Sequence, residues 1–319
     1  MRKCKRTKKK KICVIVLAAV IITAGWKIHS VAPILHFSPE YEEGASSRTA
    51  VLPEGSVDLK DLYSPYAVLV DVESGNVLAG QKAEKKIYPA SLTKIMTAVV
   101  AIENTDDMED KTMVPSDIFS ALYEEDASLA GFAPRETVAW KDLLYGILLP
   151  SGAECCLTFA EHIAGSESDF VKLMNKKADE LGMKETHFCN STGLQNSEHY
   201  STVKDIAILL RYALKNDTFR QAFTARRHSV PPTNEHPGGF TFYNTMFQAM
   251  DNAGMTDDDI LGGKTGYTEE AGLCLASLAR IDGREYILVT AKADGNLYTE
   301  PYHVMDAENV YEQIREKCL

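Results

Sequence analysis

The chain has 319 residues, 45% hydrophobic and 25% charged, which is enough for one large globular domain or two small ones with a real core. Its net charge of −11 hides an asymmetry: residues 1–11, MRKCKRTKKKK, hold eight of the 34 basic side chains, which leaves 26 in the rest against all 45 acidic residues. A body that acidic excludes nucleic acid as a partner, because such binding rests on cations at phosphates.

Residues 1–11 read as a cytoplasmic tail. They precede Ile12–Trp26, fifteen residues without a charge, and Ile28 extends the run past Lys27. Residues 12–28 therefore read as a membrane anchor or a signal segment. Thr23, Ala24 and Gly25 make a poor cleavage site, which favours a retained anchor with its basic end in the cytoplasm. Either reading places the remainder outside the cytoplasm. Residues 29–52, with Pro33, Pro39 and the stretch EEGASS, read as a linker, and 53–319 as the globular body.

YAVLVDVESGNVLAG predicts a β-hairpin around a Ser-Gly-Asn turn. SLTKIMTAVVAIEN predicts a helix, and Met113–Gly165 a mostly helical stretch broken by the loop LAGFAPRE. SDFVKLMNKKADELG predicts a helix capped by Gly182. STVKDIAILLRYALKN predicts another. Pro231 and Pro232 open a polar loop, and the acidic run DNAGMTDDD reads as a solvated loop. Two β runs follow around Asp282-Gly283, then the helix DAENVYEQIREKC. Strands at both ends thus bracket a helical middle, the pattern of an α+β fold with an antiparallel sheet assembled from distant segments.

Of seven cysteines, none forms a C-x-x-C pair; a disulfide framework or zinc site is not expected, and adjacent Cys155 and Cys156 read as small buried hydrophobes. The eight histidines show no H-E-x-x-H pairing, so neither a metal nor another cofactor is implied.

Two Ser-x-x-Lys pairs occur, so that spacing alone decides nothing. Around Ser201 and Lys204, Thr202 with Asp205 three residues later reads as a helix start of capping-box type. Ser91 and Lys94 differ. On one helix face they can touch, and the first turn's free N–H groups favour developing negative charge. A serine hydroxyl needs a base; Lys94 can serve once burial and a second cation lower its pKa. Lys264 of GGKTGYT could supply that cation, and with Thr265 it suits a carboxylate, while Gly266 permits close approach to its strand. Ser151, in LLPSGAE, stands between the two motifs in sequence.

The order S-x-x-K, a serine motif, then K-T-G follows a known motif set. With the longer stretches VDVESGNVLAGQKAEKKIYPASLTKIMTAVVAIE, ETVAWKDLLYGILLPSGAE, NSTGLQNSEHYSTVKDIAILLRYAL and GGKTGYTEEAGLCLA, from Tyr66 to Ala293, the chain resembles the serine D-alanyl-D-alanine carboxypeptidases, the low-molecular-mass penicillin-binding proteins. The resemblance implies a DD-peptidase/β-lactamase-like fold, an antiparallel sheet flanked by helices plus a helical subdomain, with the site between. It implies Ser91 as the acylated residue, Lys94 as its base and Ser151 as a proton relay. Lys264 and Thr265 would hold the substrate's terminal carboxylate, Gly266 would line the strand, and the N–H groups of Ser91 and Tyr267 would form the oxyanion hole. Implied partners are peptidoglycan stems ending in D-Ala-D-Ala, with β-lactams as covalent inhibitors. The role implied is wall maturation or an accessory part in glycopeptide resistance.

Two departures stand out. The middle motif reads SGA, with Ala153 where the family usually has asparagine. The stretch EPYHVMDAENV has no arginine where the family often supplies one for the carboxylate; His303 stands nearest. The family's frequent C-terminal β domain and amphipathic anchor do not fit a chain ending at Leu319, and the N-terminal segment would replace that anchor. Rival readings are a class A β-lactamase, disfavoured by SGA; a D,D-endopeptidase or transpeptidase; a catalytically weak sensor of the same fold; and a signal-peptidase-like Ser/Lys protease, which has no use for KTG. The Asn190-Ser191-Thr192 acceptor pattern carries no weight in a chain of this kind.

Overall fold

The computed structural model describes residues 52, 53 and 55–318. The tail, the anchor or signal segment and all but the last residue of the linker lie outside them. The described residues fall in one compact unit.

In chain order the elements are β1 (Tyr66–Asp71), β2 (Val77–Gln81), a 3₁₀ turn (Ala90–Thr93), α1 (Lys94–Glu103), β3 (Lys111–Met113), α2 (Ile118–Glu124), β4 (Thr137–Ala139), α3 (Trp140–Leu148), α4 (Ala153–Ala164), α5 (Glu167–Leu181), α6 (Val203–Ala213), α7 (Asp217–Phe223), β5 (Arg227–Val230), β6 (Phe240–Tyr243), α8 (Thr245–Asn252), β7 (Ile260–Thr268), β8 (Gly272–Ile281), β9 (Arg284–Ala293) and α9 (Tyr302–Cys318). The main sheet runs β2-β1-β9-β8-β7, antiparallel throughout. The N-terminal hairpin therefore pairs with the last strand, across more than two hundred residues, as the bracketing pattern predicts.

Each sheet face carries its own core, because successive side chains alternate in direction. Val68 and Val70 of β1, Ile287 and Val289 of β9, and Ala276 and Leu278 of β8 join the larger cluster with the helical lobe. Ala67 and Leu69, Leu288, Leu275 and Ala279 face the other way, onto Val304, Ala307, Tyr311 and Ile314 of α9 and onto Leu52, Val57 and Leu59. Covered on both faces, β8 and β9 read as nearly continuous apolar runs.

Several elements were not predicted. The stretch 113–165 contains β4, which pairs with β3 just before it in a short ribbon, and the prolines at 231 and 232 lie inside a second hairpin, β5–β6. Both are short, half-exposed ribbons with little apolar alternation. The acidic run is not wholly solvated: Asp257 is buried, and Arg315 of α9 pairs with Asp257 and Asp259. The cap predictions hold. Gly182 closes α5 in the left-handed region at φ 74, and Thr202 accepts the Asp205 N–H at 3.0 Å. Ser201 bonds Thr186 and Lys204 pairs with Glu84, so the second Ser-x-x-Lys pair is structural.

Candidate active site

Ser91 does not sit on the α-helix proper. It lies in the 3₁₀ turn entering α1, and Lys94 is the first α-helical residue. The tighter turn brings positions i and i+3 nearly into register, and Lys94 Nζ lies 3.0 Å from Ser91 Oγ. Lys94 also donates to the Thr192 carbonyl at 2.6 Å. Ser151, after Pro150 and before α4, accepts from Lys264 Nζ at 3.0 Å; the same nitrogen donates to the Thr265 carbonyl at 2.7 Å.

Both serine motifs hold a non-glycine residue in the left-handed region: Ala90 at φ 46 and Ser151 at φ 71. Such backbone costs on the order of 1–3 kcal/mol and persists only where its surroundings enforce it. Two glycines do so around Ala90. A Cβ on Gly193 would lie 1.9 Å from the Ala90 carbonyl oxygen, and one on Gly266 would lie 3.1 Å from the Ser91 nitrogen. The close approach foreseen at Gly266 is thus first made by the turn carrying Ser91.

Burial sets the electrostatics. Lys94 and Lys264 are both enclosed. Desolvation pulls Lys94 below the ordinary lysine value, against the opposing pull of Cys156 and Glu154. Desolvation, joined by the nearby charge of Lys94, pulls Lys264 well down. Cys155 and Cys156 are buried on α4 as predicted, and burial pushes the Cys156 thiol up to about 12.

The surroundings of Lys94 replace what an asparagine at 153 would offer. Ala153 is buried and its N–H donates to the Ser128 carbonyl at 2.8 Å. The second acceptor for Lys94 is instead a main-chain carbonyl on the loop after Asn190. Glu167, at the start of α5, fixes that loop by accepting from the Ser191 N–H and hydroxyl at 2.8 and 2.6 Å, and Thr97 donates to the Ser191 carbonyl. Asn190, of the acceptor pattern set aside above, takes the Gly193 N–H within the same loop. His199 accepts the Cys189 N–H on Nδ1 at 3.2 Å, so its Nε2 carries the proton and donates to Thr93 at 2.8 Å. Sequence reasoning missed Glu167, Thr192 and His199; only the stretch NSTGL…HYS, inside a quoted segment, pointed at them.

A cleft of about 510 Å³ opens over these groups. Ser91, Ser151, Thr265, Gly266 and Tyr267 line it, so five of the seven expected site residues meet there; Lys94 and Lys264 stand behind the surface, touching the two serines. Thr245, also missed, bonds Thr265 hydroxyl to hydroxyl at 2.6 Å. Its N–H donates to the Leu149 carbonyl, and Asn244 donates to the Gly263 carbonyl at 3.0 Å. Asn244 and Thr245 thereby tie the segment before Ser151 to the strand of Lys264. His303 also lines the cleft, and burial lowers its pKa to about 4. Among the described residues no group of three or more His, Cys, Asp or Glu side chains could hold a metal.

The arrangement can deprotonate a serine and protonate a leaving group on one cleft wall. Comparison with known proteins agrees. The profile of the peptidase S11 family, D-alanyl-D-alanine carboxypeptidase, matches residues 54–295. Bacillus subtilis DacF, a D-alanyl-D-alanine carboxypeptidase, is 36% identical over 222 residues, 67% of this chain and 53% of the relative. Escherichia coli DacA, of the same description, is 34% identical over 225 residues, 66% and 52%. The chain thus spans about half the length of these relatives. Among solved structures, the Streptomyces K15 DD-transpeptidase superposes with a TM-score of 0.73 at 24% identity, covering 81% of this chain and 98% of that one. A D-alanyl-D-alanine carboxypeptidase from Mycobacterium tuberculosis gives 0.70 at 26%, covering 83% and 95%. With its fold, its buried Ser–Lys pair and a family match over most of its length, the chain belongs to the D-alanyl-D-alanine carboxypeptidases of peptidase family S11.

Proposed function

We propose that the protein is a serine D,D-carboxypeptidase that removes the terminal D-alanine from peptidoglycan stems ending in D-Ala-D-Ala, and that β-lactams acylate the same serine. The observation that carries this reading is the 3.0 Å contact between the enclosed Lys94 Nζ and Ser91 Oγ. A neutral Lys94 keeps an N–H for the Thr192 carbonyl and turns its lone pair to the Ser91 hydroxyl. Lys94 takes that proton as Ser91 Oγ attacks the penultimate D-alanine carbonyl. The N–H groups of Ser91 and Tyr267 meet the oxyanion. Ser151, oriented by Lys264, passes the proton on to the departing amine, and Thr265 takes the terminal carboxylate. Water then hydrolyses the acyl-enzyme. No metal enters these steps.

Residues 12–28 act as the membrane anchor in this reading, which puts the catalytic body at the wall; recovery of the protein in the soluble fraction without high salt would contradict that. The main reading is tested by D-alanine release from an acyl-D-Ala-D-Ala peptide. The expected result is release by the native protein and loss to background in Ser91→Ala. Release by Ser91→Ala at the native rate would refute it.

A further inference from the structure

Glu167 is the first residue of α5, where an acidic side chain ordinarily does no more than face the free N–H groups of its own helix. Here it reaches across to another segment. One carboxylate oxygen accepts both the N–H of Ser191 at 2.8 Å and its hydroxyl at 2.6 Å. The Ser191 carbonyl accepts from Thr97, one turn beyond Lys94 on α1. Ser191 is wholly buried, with N–H, hydroxyl and carbonyl all engaged, and is the fixed point of its loop. Two reacting groups depend on that point. The next carbonyl, of Thr192, accepts from Lys94 Nζ, and among the described residues it is that nitrogen's one hydrogen-bond partner besides Ser91 Oγ. A lysine stem is flexible and its amine can turn its lone pair in any direction. By taking one N–H, the carbonyl aims the lone pair at the serine. Gly193, its N–H held by Asn190, packs so closely on the serine turn that a Cβ there would lie 1.9 Å from the Ala90 carbonyl oxygen. The loop thus also buttresses the left-handed residue that precedes Ser91. Neither Glu167 nor residues 190–193 line the cleft, so they bear on the reacting groups without touching what binds there.

We propose that Glu167 is a positioning residue of the Ser91 centre: through Ser191 its carboxylate holds both the Thr192 carbonyl that aims Lys94 and the Gly193 contact that supports the serine turn, so that its loss slows acyl transfer and leaves binding unchanged. This role rests on the function given above and adds a residue that acts only through other groups. The charge has a second effect. Lys94 is faced by Glu154, Cys155 and Cys156 of α4, by Glu167 of α5 and by Lys264 of β7. Burial disfavours its ammonium, while Cys156, Glu154, Cys155 and Glu167 oppose that. Removing the Glu167 charge while keeping its oxygen therefore lets Lys94 give up its proton at lower pH.

The test follows acylation of Ser91 by a chromogenic β-lactam in stopped flow, across pH, in the native protein, Glu167→Gln and Glu167→Ala. Glutamine keeps an acceptor oxygen for both Ser191 donors; alanine keeps none. In Glu167→Ala the saturating acylation rate is expected to fall at least tenfold, with the half-saturating concentration within threefold of native. In Glu167→Gln the plateau rate is expected to stay within threefold of native, and the acid limb to move down by about half a pH unit or more. A smaller loss in the alanine variant, or one that falls on half-saturation instead, overturns the proposal. So does a glutamine variant whose limb coincides with the native one, and that arm decides the matter if Glu167→Ala shows no cooperative melting transition. A native protein that forms no adduct on Ser91 refutes the underlying function instead.

Discussion

At the scale of single residues, the reactive pair depends on where charge is kept out of water. An exposed lysine with an ordinary pKa near 10.4 would be protonated and useless as a base. Enclosure of Lys94 disfavours its ammonium, and the neighbouring Lys264 disfavours both being charged at once. Ala153 stands where the resemblance leads one to expect asparagine, and its buried side chain offers no hydrogen-bonding group. The base is held by one main-chain carbonyl and the serine, with no side-chain amide. Ala153→Asn restores an amide beside the cleft. A hydrogen bond to a charged or charge-developing group contributes roughly 1.5–3 kcal/mol, so β-lactam acylation of Ala153→Asn is expected to be faster by about tenfold or more. Equal rates in stopped-flow acylation would show that position 153 does not tune recognition.

Elements decide how these residues are presented. The hairpin β1–β2, helices α1, α5, α6 and α9, and strands β8 and β9 were legible because each has a strong local signal: alternation or a continuous apolar run, apolar periodicity, or a cap such as Thr202 or Gly182. The 3₁₀ start at Ser91 was not, since a serine-led helix start looks the same in sequence whether its first turn is 3₁₀ or α. The loop that holds Lys94 was not legible either. Its function rests on a carbonyl and on Glu167, over twenty positions away in sequence, and neither leaves a local pattern. His199 braces the 3₁₀ turn through Thr93 and is kept neutral, with burial lowering its pKa to about 4. Unfolded, the imidazole returns to about 6.5 and binds a proton the folded state refuses. Stability is therefore full above about pH 6.5 and falls as the pH drops toward 4. In His199→Gln, which keeps a donor and an acceptor but does not titrate, the fall in urea-unfolding free energy between pH 7 and 4 is expected to be smaller by up to ~3 kcal/mol. An identical fall in both proteins would show that His199 does not contribute to the acid sensitivity of the fold.

The whole molecule brings the three motifs together by topology. Ser91 follows the N-terminal hairpin, Ser151 sits where α3 hands over to α4, and Lys264 lies on the edge strand β7. Pairing of β1 with β9 closes the sheet around the helical lobe, so that the 3₁₀ turn of Ser91 packs on β7 at Gly266. That convergence explains why motif order carried so much of the site in the sequence while composition carried none. It also explains why the part of the cleft lined by α8 and the segment after β9 was the least legible: those residues are brought to the cleft by long-range packing alone.

Activation of Ser91 rests on an enclosed, neutral Lys94. Its most direct test follows the covalent β-lactam adduct by peptide mass mapping as a function of pH. One adduct is expected, on the peptide containing Ser91, forming at a rate that rises with pH along a limb centred clearly below the ordinary lysine value. An adduct on another residue, or a limb at the pKa of an exposed lysine, would contradict it.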